Sequence, residues 1–74
     1  MRIVVRTFAA LRERRGAGSE ELELEPGATA GLVRARVCPP DLTCAIAVNG
    51  QLCGPDVALV EGDEVALLPP LGGG

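Results

Sequence analysis

Ala66-Leu67-Leu68-Pro69-Pro70-Leu71-Gly72-Gly73-Gly74 is the stretch around which the rest of the chain is organised: an apolar run passes through two prolines into three glycines. Pro69-Pro70 fixes two φ angles and favours an extended path, and glycines without side chains fit a slot too narrow for a Cβ. The expected form is a stiff stalk, residues 69–74, projecting from a folded domain over residues 1–68. Its only functional groups are backbone amides and the carboxylate of Gly74, so any chemistry there is carboxyl chemistry. The competing reading is a frayed glycine-rich end with no role. A rigid proline pair directly before the glycines argues for projection.

Working outward, Glu61-Gly62-Asp63 reads as a turn into a last strand, Glu64-Val65-Ala66-Leu67-Leu68. Period two places Val65 and Leu67 on a core and leaves Ala66 and Leu68 on the outer face beside the tail. The N-terminal run Arg2-Ile3-Val4-Val5-Arg6-Thr7-Phe8 is a first strand, with Ile3 and Val5 on one face and Arg2, Val4 and Arg6 on the other. Residues 9–15 form a short helical turn ending at Gly16-Ala17-Gly18. Ser19-Glu20-Glu21-Leu22-Glu23-Leu24-Glu25 alternates acid and leucine, a strand with Leu22 and Leu24 inward, closed by Pro26-Gly27.

Thr29 is placed to cap a short helix that runs to Val37 and is stopped by Pro39-Pro40. Gly31 and the valines lower its propensity, so packing of Leu32, Val33 and Val37 on a sheet must hold it. Thr43-Cys44-Ala45-Ile46-Ala47-Val48 is a strand with Cys44, Ile46 and Val48 inward; Asn49-Gly50 signals a hairpin, and Gln51-Leu52-Cys53 leaves it as a strand. After Gly54-Pro55-Asp56, Leu59-Val60 is expected to tuck under the sheet. Such a pattern is α+β, a sheet of about five strands with one main helix packed across it.

At 74 residues there is room for one domain, which buries roughly 60% of its unfolded surface and has no depth for an enzyme cleft. Hydrophobic residues make up 47%, yet Phe8 is the sole aromatic, so the core is built from Val, Leu, Ile and Ala. The net charge of −3 is uneven. Arg2, Arg6, Arg12, Arg14 and Arg15 crowd the first fifteen residues against Glu13 alone, whereas only Asp41, Asp56, Glu61, Asp63 and Glu64 follow Arg36. An anionic C-terminal half repels nucleic acid and anionic membranes and steers toward a basic protein partner, or serves solubility. There is no lysine and no histidine. Cys38, Cys44 and Cys53 have neither zinc-knuckle nor redox-motif spacing and read as small buried thiols of a reduced compartment. No leader or membrane-spanning run is evident, and the expected location is the cytoplasm.

Thr7-Phe8-Ala9-Ala10-Leu11-Arg12-Glu13, Ala47-Val48-Asn49-Gly50, Glu61-Gly62-Asp63-Glu64-Val65-Ala66-Leu67-Leu68-Pro69-Pro70 and the terminal glycines together resemble the small, sulfur-carrier subunit of molybdopterin synthase, over nearly the whole chain. The resemblance implies the β-grasp, ubiquitin-like fold with a mixed sheet. Two departures are a shorter helix over residues 29–37 and three terminal glycines in place of two.

The resemblance further implies that a separate activating enzyme, using ATP and magnesium, adenylates Gly74, and that sulfur from a donor then replaces the adenylate as a thiocarboxylate. The chain itself binds no cofactor. The tail then enters the large synthase subunit, in a heterotetramer of two small and two large subunits. There it donates sulfur to cyclic pyranopterin monophosphate, and the catalytic groups belong to the large subunit. Gly72 and Gly73 thread a narrow channel, Pro69, Pro70 and Leu71 position the stalk, and Phe8, Leu68 and Ala47 form an apolar contact patch. Phe8 is equally a candidate for the core.

The same terminal chemistry would serve a sulfur carrier for thiamine or transfer-RNA thiolation, or a modifier joined through its glycine tail to lysines of other proteins. A plain binding module with an inert tail is the alternative of a different class, and it predicts that an added C-terminal residue is harmless.

Overall fold

In the computed structural model, which describes residues 1–69, the alternation of β1 (Arg2–Thr7) is realised residue by residue. Ile3, Val5 and Thr7 are buried, while Arg2 and Arg6 face out. A β-branched run suits this central position, because its stiff side chains pack on a pleated surface. β1 pairs antiparallel with β2 (Ser19–Glu23), Ile3 opposite Leu22, and parallel with β5 (Glu64–Leu68), Val5 opposite Val65. β5 in turn pairs antiparallel with β3 (Ala45–Val48), Ile46 opposite Leu67, and β3 with β4 (Gln51–Cys53). The order is β2-β1-β5-β3-β4, a mixed sheet with the first and last strands side by side at its centre.

Turn chemistry sets the register. Asn49 and Gly50 both have positive φ, 50° and 84°, the backbone that a two-residue hairpin loop requires, and Val48 consequently faces Gln51. Two helices occupy the connections. α1 (Ala9–Arg15) is a full seven-residue helix and not merely a turn; Gly16, at φ 79°, ends it and donates its N–H to the Arg12 carbonyl at 2.9 Å. α2 (Ala30–Val37) starts at Thr29, whose Oγ1 accepts from the Leu32 N–H at 3.3 Å, and packs across the core face against β3 and β5. Only α2 packs across the sheet, as the pattern predicts, while α1, of seven residues, lies against β1 in the connection to β2.

Ala30, Val33 and Val37 are the buried face of α2, and they close a core with Ile3, Val5, Ile46, Val65 and Leu67 from the sheet. Leu32 lies only half-buried at its edge. Gly31 has a role beyond its weak propensity. Its N–H donates to the Pro55 carbonyl at 2.9 Å, and a Cβ there would lie 2.8 Å from the Pro55 Cβ. The loop after β4 therefore passes against bare helix backbone.

Other expectations are corrected. β2 ends at Glu23, two residues early, although Leu24 is still buried and still bonds Met1 through its N–H at 2.7 Å. Leu59 tucks under the sheet but Val60 does not: Val60 opens the turn to Asp63 and points to solvent. Of the thiols only Cys44 is buried, Cys38 and Cys53 being half-buried. Among the described residues, no helix is long and apolar enough to cross a membrane.

Candidate functional site: the outer sheet face and the foot of the tail

The side of the sheet away from the helices is divided into two halves by composition. Toward β2 it is charged: the Arg2 guanidinium reaches Glu23 at 3.1 Å, and Arg6 reaches Glu64 at 3.5 Å. These exposed pairs contribute little stability individually. Toward β4 it is apolar, built by register alone, since Ala45 lies opposite Leu68, Ala47 opposite Ala66, and Ala47 also opposite Leu52. β5 is shared by both halves, and its last residue, Leu68, delivers the chain to Pro69 at the apolar end.

Phe8 is settled as a surface residue. It follows β1 in extended backbone, φ −138° and ψ 159°, and remains 38% exposed. The next residue, Ala9, adopts φ 54°, a left-handed conformation unusual for a residue with a Cβ, and turns the chain sharply into α1. Phe8 is thereby left beside Leu42, Leu68 and Pro69 along a groove of about 260 Å3 at the foot of the tail. Asp41 on its rim is gripped by the Arg14 guanidinium through two bonds, at 2.9 and 2.6 Å. That fork holds the loop of residues 39–43 against α1, and its hydrogen bonds keep the Asp41 carboxyl below the usual carboxylate range.

Of the expected contact patch, Leu68 lies on the outer face as period two puts it, and Phe8, left open between core and surface, lies at the surface, but Ala47 contributes little. It is on the outer face and yet only 5% exposed, because its methyl group is enclosed by neighbouring strands. Leu52, 56% exposed beside it, supplies the apolar area. Sequence reading missed Leu52, although the Asn49-Gly50 hairpin fixes its register opposite Ala47. The remaining expected site residues, Pro70, Leu71, Gly72, Gly73 and Gly74, lie outside the described residues.

The acidic C-terminal half is also corrected. Asp41 and Glu64 are paired with Arg14 and Arg6, and Asp63 is buried in a hydrogen-bonded turn, which leaves Asp56 and Glu61 as the exposed acids outside those contacts. Among the described residues no group of three or more His, Cys, Asp or Glu side chains is arranged to hold a metal ion.

A mixed five-stranded sheet in this order, with a helix crossing one face and the last strand central, is the β-grasp of ubiquitin-like proteins. Residues 5–74 match the ThiS family, and the chain belongs to it. It is 39% identical, across the whole of both chains, to the molybdopterin synthase sulfur carrier subunit of Chlamydomonas reinhardtii. Among solved structures, small archaeal modifier protein 1 of Haloferax volcanii matches with a TM-score of 0.76 and 28% identity, again over the whole of both chains. A chain in the complex of subunits 1 and 2 of the molybdopterin-converting factor from Helicobacter pylori matches with a TM-score of 0.67 and 26% identity, each chain covered completely.

Proposed function

We propose that this chain is a sulfur carrier for molybdenum cofactor synthesis, in which the Gly74 carboxyl group is the working end. The observation that carries the reading is the full-length 39% identity to a sulfur carrier subunit of molybdopterin synthase. A free carboxylate is a poor electrophile, so a separate activating enzyme consuming ATP and magnesium converts it to an acyl-adenylate, and sulfur from a donor displaces the adenylate. The resulting thiocarboxylate is presented to the large subunit, whose catalytic groups pass the sulfur to cyclic pyranopterin monophosphate. Gly72 and Gly73 pass through a channel too narrow for side chains, and Pro69, Pro70 and Leu71 hold the stalk away from the domain. Phe8, Leu68 and Leu52 form the contact surface for the large subunit, around the covered Ala47.

A second reading has a specific support, the full-length structural likeness to a small archaeal modifier protein. In that reading the activated Gly74 of this chain is transferred to a lysine of another protein. Intact mass spectrometry after incubation with ATP, magnesium, a family activating enzyme and a sulfide donor separates the readings. A sulfur-for-oxygen mass gain, lost when one residue is added after Gly74, followed by sulfur transfer in the presence of the large subunit, is the expected result. Glycine–lysine adducts on other proteins in place of a thiocarboxylate would establish the modifier, and no change at all would leave a binding module.

A further inference from the structure

The sulfur-carrying tail makes no use of the cysteines, and two of them are brought together. Cys38 caps α2, its N–H donating to the Arg34 carbonyl at 2.8 Å, and its backbone turns out of the helix at φ −89° and ψ 120°. Its sulfur folds back inside the loop of residues 39–43, 3.4 Å from the Leu42 carbonyl, which accepts from the thiol. Cys44, at the other end of that loop, directly precedes β3 and is buried. Both thiols line one open cavity of about 460 Å3, which Arg34 also lines, its Nη1 donating to the Cys44 carbonyl at 3.4 Å. Burial first, and the neighbouring Cys38 thiol second, push the Cys44 thiol up to about 12, while the Arg34 charge acts in the opposite direction.

We propose that Cys38 and Cys44 are a reversible dithiol pair that closes to an intramolecular disulfide by exchange with a low-molecular-weight disulfide such as oxidised glutathione. The two sulfurs have distinct roles. Cys38, the less buried, is reached through the cavity and attacks as its thiolate, forming a bond to one glutathione sulfur and breaking the glutathione disulfide. The expelled glutathione thiolate takes up the proton that Cys38 released. Cys44 then loses its proton to solvent and attacks the Cys38 sulfur, expelling the second glutathione as a thiolate, which is protonated in turn. Two protein thiols are oxidised by two electrons, and one glutathione disulfide is reduced to two thiols. Burial keeps Cys44 from the external disulfide, so Cys38 reacts first, and the raised Cys44 pKa makes the closing attack on Cys38 the slower step. Cys44 and residues 41–43 also line the groove at the foot of the tail, so the pair adjoins the surface assigned above to the large subunit, a placement that rests on that assignment.

The test treats the full chain with oxidised glutathione at mildly alkaline pH, alkylates the remaining thiols and measures intact mass. Cleavage before Asp41 then separates Cys38 from Cys44. The expected product is a monomer two hydrogens lighter, alkylated once, on Cys53, with Cys38 linked to Cys44. Cys44→Ser should stop at a glutathione adduct on Cys38, and Cys53→Ser should close like the natural chain. A persistent glutathione adduct on the natural chain, a link through Cys53 or between chains, or three thiols still open to alkylation overturns the proposal. The readout is independent of sulfur transfer, so its failure leaves the carrier function untouched.

Discussion

Asp63 accepts a hydrogen bond from the side-chain amide of Asn49 at 2.9 Å, joining the β3–β4 hairpin to the start of β5. The other carboxylate oxygen accepts from the Val60 N–H at 2.8 Å, and the Asn49 Oδ1 accepts from the Glu64 N–H at 3.0 Å. The Asn49-Gly50 and Gly62-Asp63-Glu64 signatures are therefore two parts of one structural clasp. Asp63→Ala leaves an amide and a backbone N–H without their partner. The expected cost is about 2 kcal/mol, read as a lower urea midpoint with an unchanged slope.

Acid should loosen the same clasp. The Val60 N–H, and after it the Asn49 amide, favour the charged Asp63 carboxylate and hold its pKa below the ordinary value; the Arg15 hydrogen bond does the same for Glu20. A carboxyl group depressed in the folded state stabilises the fold above its unfolded pKa, about 4, and that stabilisation is lost as pH falls from there through the folded value. The urea midpoint of the natural chain should therefore fall below about pH 4. Asp63→Asn should start lower at neutral pH and show a shallower acid slope. Parallel slopes for the two proteins would remove Asp63 as a contributor.

Gly31→Ala sets two effects against each other. Alanine gains about 1 kcal/mol of helix propensity, but its Cβ would lie 2.8 Å from the Pro55 Cβ and 3.0 Å from the Pro55 carbonyl oxygen, which overpacking data value at about 1–3 kcal/mol. Because the obstacle includes backbone, the clash should win. Circular dichroism melting should show a lower Tm for Gly31→Ala, and a higher one would mean that the Pro55 loop yields freely.

Leu67 and Leu52 separate folding from contact. Leu67 is fully buried in the core, and Leu67→Ala should cost about 3 kcal/mol. Leu52 is exposed on the apolar half of the outer face, so Leu52→Asp should leave stability within about 0.5 kcal/mol. Binding to a large synthase subunit, measured by calorimetry, should nevertheless weaken at least about tenfold, as for a central interface residue. Unchanged affinity would move the contact surface away from β4.

Much of the fold was legible because its rules are local. Period two sorted Ile3 and Val5 from Arg2 and Arg6, Thr29 marked a cap, and Asn49-Gly50 marked a hairpin; each depends on residues at most a few positions apart. The errors came where long-range packing decides. Val60 shares an apolar pair with Leu59, yet its N–H is claimed by Asp63 and its side chain is left in solvent. Ala47 was placed on the correct face, but a methyl group between Ala66 and Leu52 is covered whatever face it occupies.

The sequence by itself determined which residues face inward along each strand, where the helices begin and end, and that the chain leaves β5 through a proline pair toward glycines. These follow from side-chain periodicity and from the fixed or permissive φ of proline and glycine, properties of neighbouring residues. Only the tertiary structure decided that β1 and β5 lie parallel at the centre and that Asp63 meets Asn49. The same holds for Pro55 resting on Gly31, for Cys38 and Cys44 sharing a cavity, and for Phe8 standing beside Leu68 at the foot of the tail. Each of these joins segments from different turns of the chain, and which of them meet is chosen by burying one common core, a choice no local pattern encodes.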